Sequence, residues 1–317
     1  MITHRANRLR FVLMFGAAAA ALWIFVDADD LRYLPAHLVV GGLLAGLVLF
    51  LVAQMVFHSP AGAGADAPAH TPFPFKSALR RIRARELVDD VLDRVRFRVD
   101  TFPNGLYQPV QSLPRAGASR STGSESRWSA MLPVIRAEGV RSALDIGACE
   151  GYFAIELAQA GIPTIALESA PGNYRTILFA IKRGGTRNVG VLAMEITPEN
   201  VGTLPSSDCV LLLSVWHHLV RSFGIEHATA MLRTIWERTR NVMFFDTGET
   251  EMTPDYRLPS MSPDPRSWLT GFLAETCAGS RIEHLGRHGA FDPVGKRCER
   301  NLFAVIRDRD FSSQDYA

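Results

Sequence analysis

Three kinds of hydrophobic pattern follow one another along the chain. The first is continuous. Residues 11–26 (FVLMFGAAAAALWIFV) and 38–57 (LVVGGLLAGLVLFLVAQMVF) carry no charge at all. A bilayer core about 30 Å thick takes about 20 helical residues, so the second run is long enough to span it. The first run reaches that length once the Arg10 side chain snorkels. With 11 residues between them, the two runs predict a transmembrane helical hairpin over residues 1–57. Residues 58–75 (HSPAGAGADAPAHTPFPF) then lose all periodicity and read as a flexible linker.

The second pattern has a helical period. Leu79, Ile82, Leu87, Val88, Val91, Leu92 and Val95 recur mostly at steps of 3 or 4. The other faces of that stretch are rich in Arg. It predicts a basic amphipathic helix that docks on the following domain, lies against anionic headgroups, or does both. Turn formers dominate residues 99–127, a long loop whose Phe102 and Tyr107 leave open a role in covering a substrate site.

From Trp128 onward short apolar runs alternate with helical stretches. Residues 142–146, 164–168, 189–194, 209–214 and 242–246 read as strands, with helices near 152–160, 172–183 and 223–239. The alternation predicts an α/β domain over 128–317: a doubly wound, mostly parallel sheet with helices on both faces. Two last runs, 281–285 and 301–307, are placed to close one sheet edge as a hairpin.

Composition narrows the function classes. The 317 residues are 47% hydrophobic and 21% charged, enough for a core that needs no disulfide or structural metal. A formal net charge of +2 offers no strong field for nucleic acid. Of the 34 basic residues only Lys76, Lys182 and Lys296 are lysines. Cys149, Cys209, Cys277 and Cys298 form no C-x-x-C pair, which argues against zinc and a secreted disulfide framework and for a reducing compartment. The flanks of the apolar runs set the orientation. Arg5, Arg8 and Arg10 precede the first run, and Lys76, Arg80, Arg81, Arg83 and Arg85 follow the second. The connecting loop carries Asp27, Asp29 and Asp30 against one Arg32. The positive-inside rule then puts both termini and the α/β domain on the cytoplasmic side of the inner membrane.

Candidate chemistry gathers at the carboxyl ends of the expected strands, where open α/β sheets bind ligands. The first strand runs into LDIGACEGYF, in which Asp145 is followed by Gly147 and Gly151 as a helix opens. Gly147 lets the chain turn tightly, and Gly151 lets the helix start close to its neighbours. The spacing G-x-x-x-G is not that of a dinucleotide cradle. Glu168 ends the second strand, 23 residues after Asp145, where a carboxylate can accept both hydroxyls of a ribose. Glu195 and Ile196 follow the third strand, and DCVLLLSVWHHL carries the fourth into Ser214, Trp216, His217 and His218.

With those residues the chain resembles the class I S-adenosylmethionine-dependent methyltransferases over roughly 128–307. The resemblance implies that family's seven-stranded sheet with one antiparallel strand. It implies S-adenosylmethionine (SAM) as cofactor, with Asp145, Gly147 and Gly151 in the methionine-side loop and Glu168 on the ribose. Glu195 and Ile196 would border the adenine, and Ser214 and Trp216 would line the cofactor. Methyl transfer is largely alignment of nucleophile and donor carbon, and a hydroxyl nucleophile gains from a base in reach. His217 and His218 are the candidates for that base, with Asp246 and Glu249 (FFDTGE) as alternative polar groups. No carboxylate cluster suggests a metal.

The stretches DCVLLLSVWHHLV and RNLFAV also resemble the branch that modifies wobble uridines in transfer RNA. The chain departs from it in its membrane hairpin and in lacking a basic surface interleaved with aromatics. The expected acceptor is therefore a small or lipid-linked molecule at the membrane. An RNA or protein acceptor is the second reading, and a non-catalytic cofactor-binding scaffold the third.

Overall fold

The structure, a computed structural model, describes residues 90, 92–94, 96–97, 105–110, 112 and 123–308. The chain divides into two compact units, 1–103 and 104–317. Both apolar runs, the linker, most of the basic helix and most of the 99–127 loop lie outside the described residues. Among the described residues, no helix is long and apolar enough to cross a membrane. In the first unit, residues 90, 92–94 and 96–97 are helical, and Arg94 Nε pairs with Asp90 Oδ2 at 2.9 Å, one turn apart.

The second unit opens with α1 (Ser124–Ala137), so its helix begins inside the stretch read as loop. Then follow β1 (Ala143–Ile146), α2 (Tyr152–Gln159), β2 (Thr164–Glu168), α3 (Pro171–Gly184), β3 (Val189–Ala193) and β4 (Ser207–Leu213). Next come α4 (Trp216–Phe223), α5 (Ile225–Glu237), β5 (Thr239–Asp246), α6 (Pro265–Thr276), β6 (Ser280–Phe291) and β7 (Arg297–Arg307). All seven strands form one sheet in the order β3-β2-β1-β4-β5-β7-β6. β1 to β5 pair in parallel, and β7 runs antiparallel to both β5 and β6. The expected sheet, with one reversed strand, is the one observed.

Side-chain alternation explains why helices cover both faces. Along β4, Val210 and Leu212 point into one core with Trp216, Met231, Ile235, Leu269 and Leu273. Cys209, Leu211 and Leu213 point into the other, with Met131, Ile135, Phe153 and Leu157. All seven residues of β4 are buried, as a strand covered on both sides must be.

Three expectations need correction. The helix read over 223–239 is α5, and a further helix that was not read, α4, stands before it, with Gly224 at φ +83° ending α4 and starting α5; a residue with a Cβ is disfavoured there. Helix α6 was not read from the sequence; Asp264 caps it, accepting from Ser267 N–H at 3.0 Å, with Pro265 in its first turn. The closing hairpin is far longer than the runs 281–285 and 301–307, at 12 and 11 residues.

Candidate functional site

Between β1 and β4 the strand order reverses direction, and a crevice forms at the carboxyl ends of strands on either side of such a point. A cavity of about 610 Å³ opens there, within the usual size of ligand pockets. One wall is the turn from β1 into α2. Gly147, Cys149 and Gly151 all have positive φ, at +73°, +55° and +83°. A Cβ on Gly147 would stand 2.6 Å from Val215 Cγ2, and one on Gly151 3.0 Å from the Ile177 side chain. Backbone conformation therefore favours glycine at both positions, and packing leaves no room for a Cβ at Gly147 and little at Gly151. Gly147 and Cys149 line the cavity, whereas Gly151 sits behind it as the residue before α2.

Glu168, at the end of β2, is tied to this turn. Its Oε2 accepts from Cys149 N–H and its Oε1 from Ala170 N–H, both at 2.7 Å. Burial raises its pKa, and these backbone donors hold the rise in check. The carboxylate lines the cavity with acceptor capacity left on each oxygen. Glu195 and Ile196 line it from beyond β3, Glu195 exposed and Ile196 buried. Asp145 does not reach it. That side chain is 2% exposed behind the turn, and its buried Oδ2 has no hydrogen-bond partner. Burial, then the neighbouring Glu168 charge, raises its pKa to about 7.

The opposite wall comes from the ends of β4 and β5. Ser214, held at φ +57°, donates from Oγ to Asp246 Oδ1 at 2.8 Å and lines the cavity. Asp246 itself is fully buried behind Ser214. Glu249 accepts from Asn301 N–H at 2.6 Å and from its side-chain amide at 2.9 Å, and it lines a separate surface depression beside the β6–β7 hairpin. Neither alternative carboxylate therefore faces the cavity. Trp216 does not line the cavity either: it is wholly buried, with its ring 5.0 Å from that of Phe272 and 6.3 Å from that of Phe245. The reason is helical geometry, since α4 starts at Trp216 and turns that side chain into the core while the next two line the cavity.

The two histidines differ in a way no sequence shows. His217 is 3% exposed, and its Nδ1 accepts from Gly248 N–H at 2.8 Å with Thr247 Oγ1 at 3.2 Å. An accepting Nδ1 puts the proton of the neutral ring on Nε2. Burial, then His218, lowers the His217 pKa well below the ordinary value. His217 is thus a fixed, neutral hydrogen-bond donor. His218 is the more exposed, with its ring 4.2 Å from that of His217 and 5.7 Å from that of Tyr256. Burial, Arg300 and Arg221 lower its pKa too. It is the one of the pair free to take up a proton.

Apart from Tyr107, a loop aromatic left open to cover a substrate site, the remaining cavity residues had no sequence signal. Tyr107 and Gln108 lie in the stretch read as loop, and both line the cavity. Glu150 straps them down: its Oε1 accepts from Tyr107 N–H at 2.8 Å and its Oε2 from Gln108 N–H at 3.1 Å. Gln108 in turn accepts from Tyr152 N–H at 3.0 Å. Arg127 arrives from the first turn of α1, and Arg300 from β7, whose reversed direction brings its early residues to the carboxyl edge of the other strands. Phe291, at the end of β6, adds an aromatic wall 6.4 Å from the Tyr107 ring.

No protein-family model and no curated protein matches the sequence. Solved structures do match in fold. The bifunctional kinase-methyltransferase WbdD aligns at a TM-score of 0.54 and 21% identity, over 66% of this chain and 45% of that one. A second WbdD crystal structure gives the same score and identity over 66% and 46%. The chain thus spans less than half the length of these two structures. Together with the strand order, these matches identify the described domain as having the class I methyltransferase fold.

Proposed function

We propose that the protein is a SAM-dependent methyltransferase acting on a small or lipid-linked acceptor at the cytoplasmic face of the inner membrane. One observation carries the reading: the glycine turn, Glu168, Glu195, Ser214 and the histidine pair all meet at one cavity. The residues present fit the cofactor. Glu168 retains acceptor capacity for ribose hydroxyls, Glu195 and Ile196 offer a polar and an apolar edge for adenine, and the glycine turn keeps side chains out of the loop. When bound, SAM supplies a methyl carbon activated by a sulfonium. The chain then has to align a nucleophile with that carbon and exclude water. Where the nucleophile carries a proton, His218 would be the residue that takes it up. His217, held at Nδ1 by Gly248 N–H, is the fixed ring against which its neighbour packs.

The apolar runs 11–26 and 38–57, with their basic flanks, support the membrane placement. A membrane-resident acceptor would meet a tethered domain at raised effective concentration.

The test is label transfer. The full chain, reconstituted in lipid, is incubated with methyl-labelled SAM and extracts from membranes. Label in organic-soluble or small-molecule fractions supports the reading. Label that nuclease or protease removes moves the acceptor to RNA or protein. SAM binding with no transfer to any fraction makes the domain a scaffold.

A further inference from the structure

Arg127 and Arg300 line the cavity although each is only 3% exposed. A guanidinium so buried is costly unless its charge and its donors are met. Arg127 Nε stands 3.0 Å from Asp246 Oδ2, an ion pair whose angles fall outside hydrogen-bond geometry. Its Nη2 donates to Gly289 O at 3.2 Å, and its Nη1 bonds to no described residue. Arg300 Nε donates to Glu251 at 2.7 Å, Nη1 to Ser214 Oγ at 3.2 Å and Nη2 to Phe291 O at 3.1 Å. Arg300 Nη2 also reaches Met252 Sδ at 3.4 Å, so both groups are held by protein and the spare N–H donors include those on Nη1, two in Arg127 and one in Arg300.

No part of the cofactor reading uses these donors. Tyr107 and Phe291 line the same cavity. A planar fork of donors fixed in a pocket of low dielectric matches an oxyanion better than any neutral group. Asp246 and Glu251 face the two groups only at their Nε ends, so the Nη donors toward the cavity are left unmet by either carboxylate.

We propose that the acceptor carries an oxyanion, a carboxylate or a phosphate, which Arg127 and Arg300 bind while the rings of Tyr107 and Phe291 flank its organic part. The proposal rests on the methyltransferase reading for the word acceptor, and its test separates the two. Phenyl phosphate, benzoate and uncharged phenol are titrated calorimetrically into the full chain in detergent, each with and without saturating SAM. The same titrations, with SAM affinity and thermal unfolding, are run on Arg127→Gln and Arg127→Lys.

At least one anion is expected to bind about tenfold or more tightly than phenol, and the tighter anion names the group. Arg127→Gln should weaken that anion by about tenfold while SAM affinity changes less than about twofold. Should Arg127→Gln unfold, Arg127→Lys keeps the charge facing Asp246 and loses the fork, and it should still weaken the anion several-fold. Phenol binding as tightly as both anions, or anion affinity unchanged in a folded variant, overturns the proposal. So does binding of neither anion. A chain that binds the anion through Arg127 but never binds SAM overturns the methyltransferase reading and leaves this oxyanion site standing.

Discussion

At the scale of single residues, Asp145 makes the sharpest thermodynamic prediction. Its folded carboxyl holds a proton until about pH 7, whereas an unfolded aspartate releases it near pH ~3.9. Between those values the folded chain binds more protons than the unfolded one, so this group makes stability fall as pH rises. The effect is complete above about pH 7 and on the order of 4 kcal/mol. Asp145→Asn should remove that slope, leaving the variant relatively more stable than the parent at pH 8 than at pH 4.5. Denaturant unfolding at the two pH values measures it; parallel behaviour of the two proteins would refute the burial argument.

The histidine pair should separate just as cleanly. His217→Ala strands the buried Gly248 N–H and should cost about 1–3 kcal/mol of stability. His218→Ala should leave stability nearly unchanged and lower turnover of a protonated nucleophile by about 10²–10⁴. A base must be neutral, and the His218 pKa lies below its ordinary 6.5. Activity should thus fall on the acid side of that pKa, and the fall should vanish in His218→Ala. Equal effects of both substitutions on melting temperature and turnover would contradict this division of roles.

At the scale of elements, the strap across the glycine turn is the feature to test. Glu150 holds the 105–110 segment by two backbone N–H groups. Glu150→Ala should therefore raise hydrogen exchange at Tyr107 and Gln108 well above the parent level, with β4 and β5 unaffected. Unchanged protection would mean that packing of Leu106 and Val110 holds the segment by itself. This strap also shows where the sequence stops being readable. Strands β1 to β5 are legible because each is a short apolar run between turn formers, and the glycine turn is legible because positive φ and close packing leave few residues to choose from. The 105–110 segment has no period to detect, as it is held by Glu150 and Tyr152, more than 40 positions away in the chain. Helix α4 has a strong period, yet the period does not say that Trp216 faces the core while His218 faces the cavity. Arg127 and Arg300 are 173 positions apart in the chain. Only the reversed direction of β7 and the placement of α1 bring them together, and no local pattern encodes that.

At the scale of the whole molecule, an apolar, basic-flanked amino-terminal region precedes an α/β domain whose cavity opens at the strand-order reversal. On the proposed function, this cavity holds SAM with Glu168 as the ribose acceptor. The direct measurement is calorimetric titration of SAM into the full chain in detergent, beside Glu168→Gln and Glu195→Ala. Micromolar binding is expected for the parent, weakened about tenfold or more in Glu168→Gln and less in Glu195→Ala, with all three proteins folded by thermal unfolding. A folded parent that takes up no SAM, or a Glu168→Gln variant that binds it as tightly as the parent, would contradict the account.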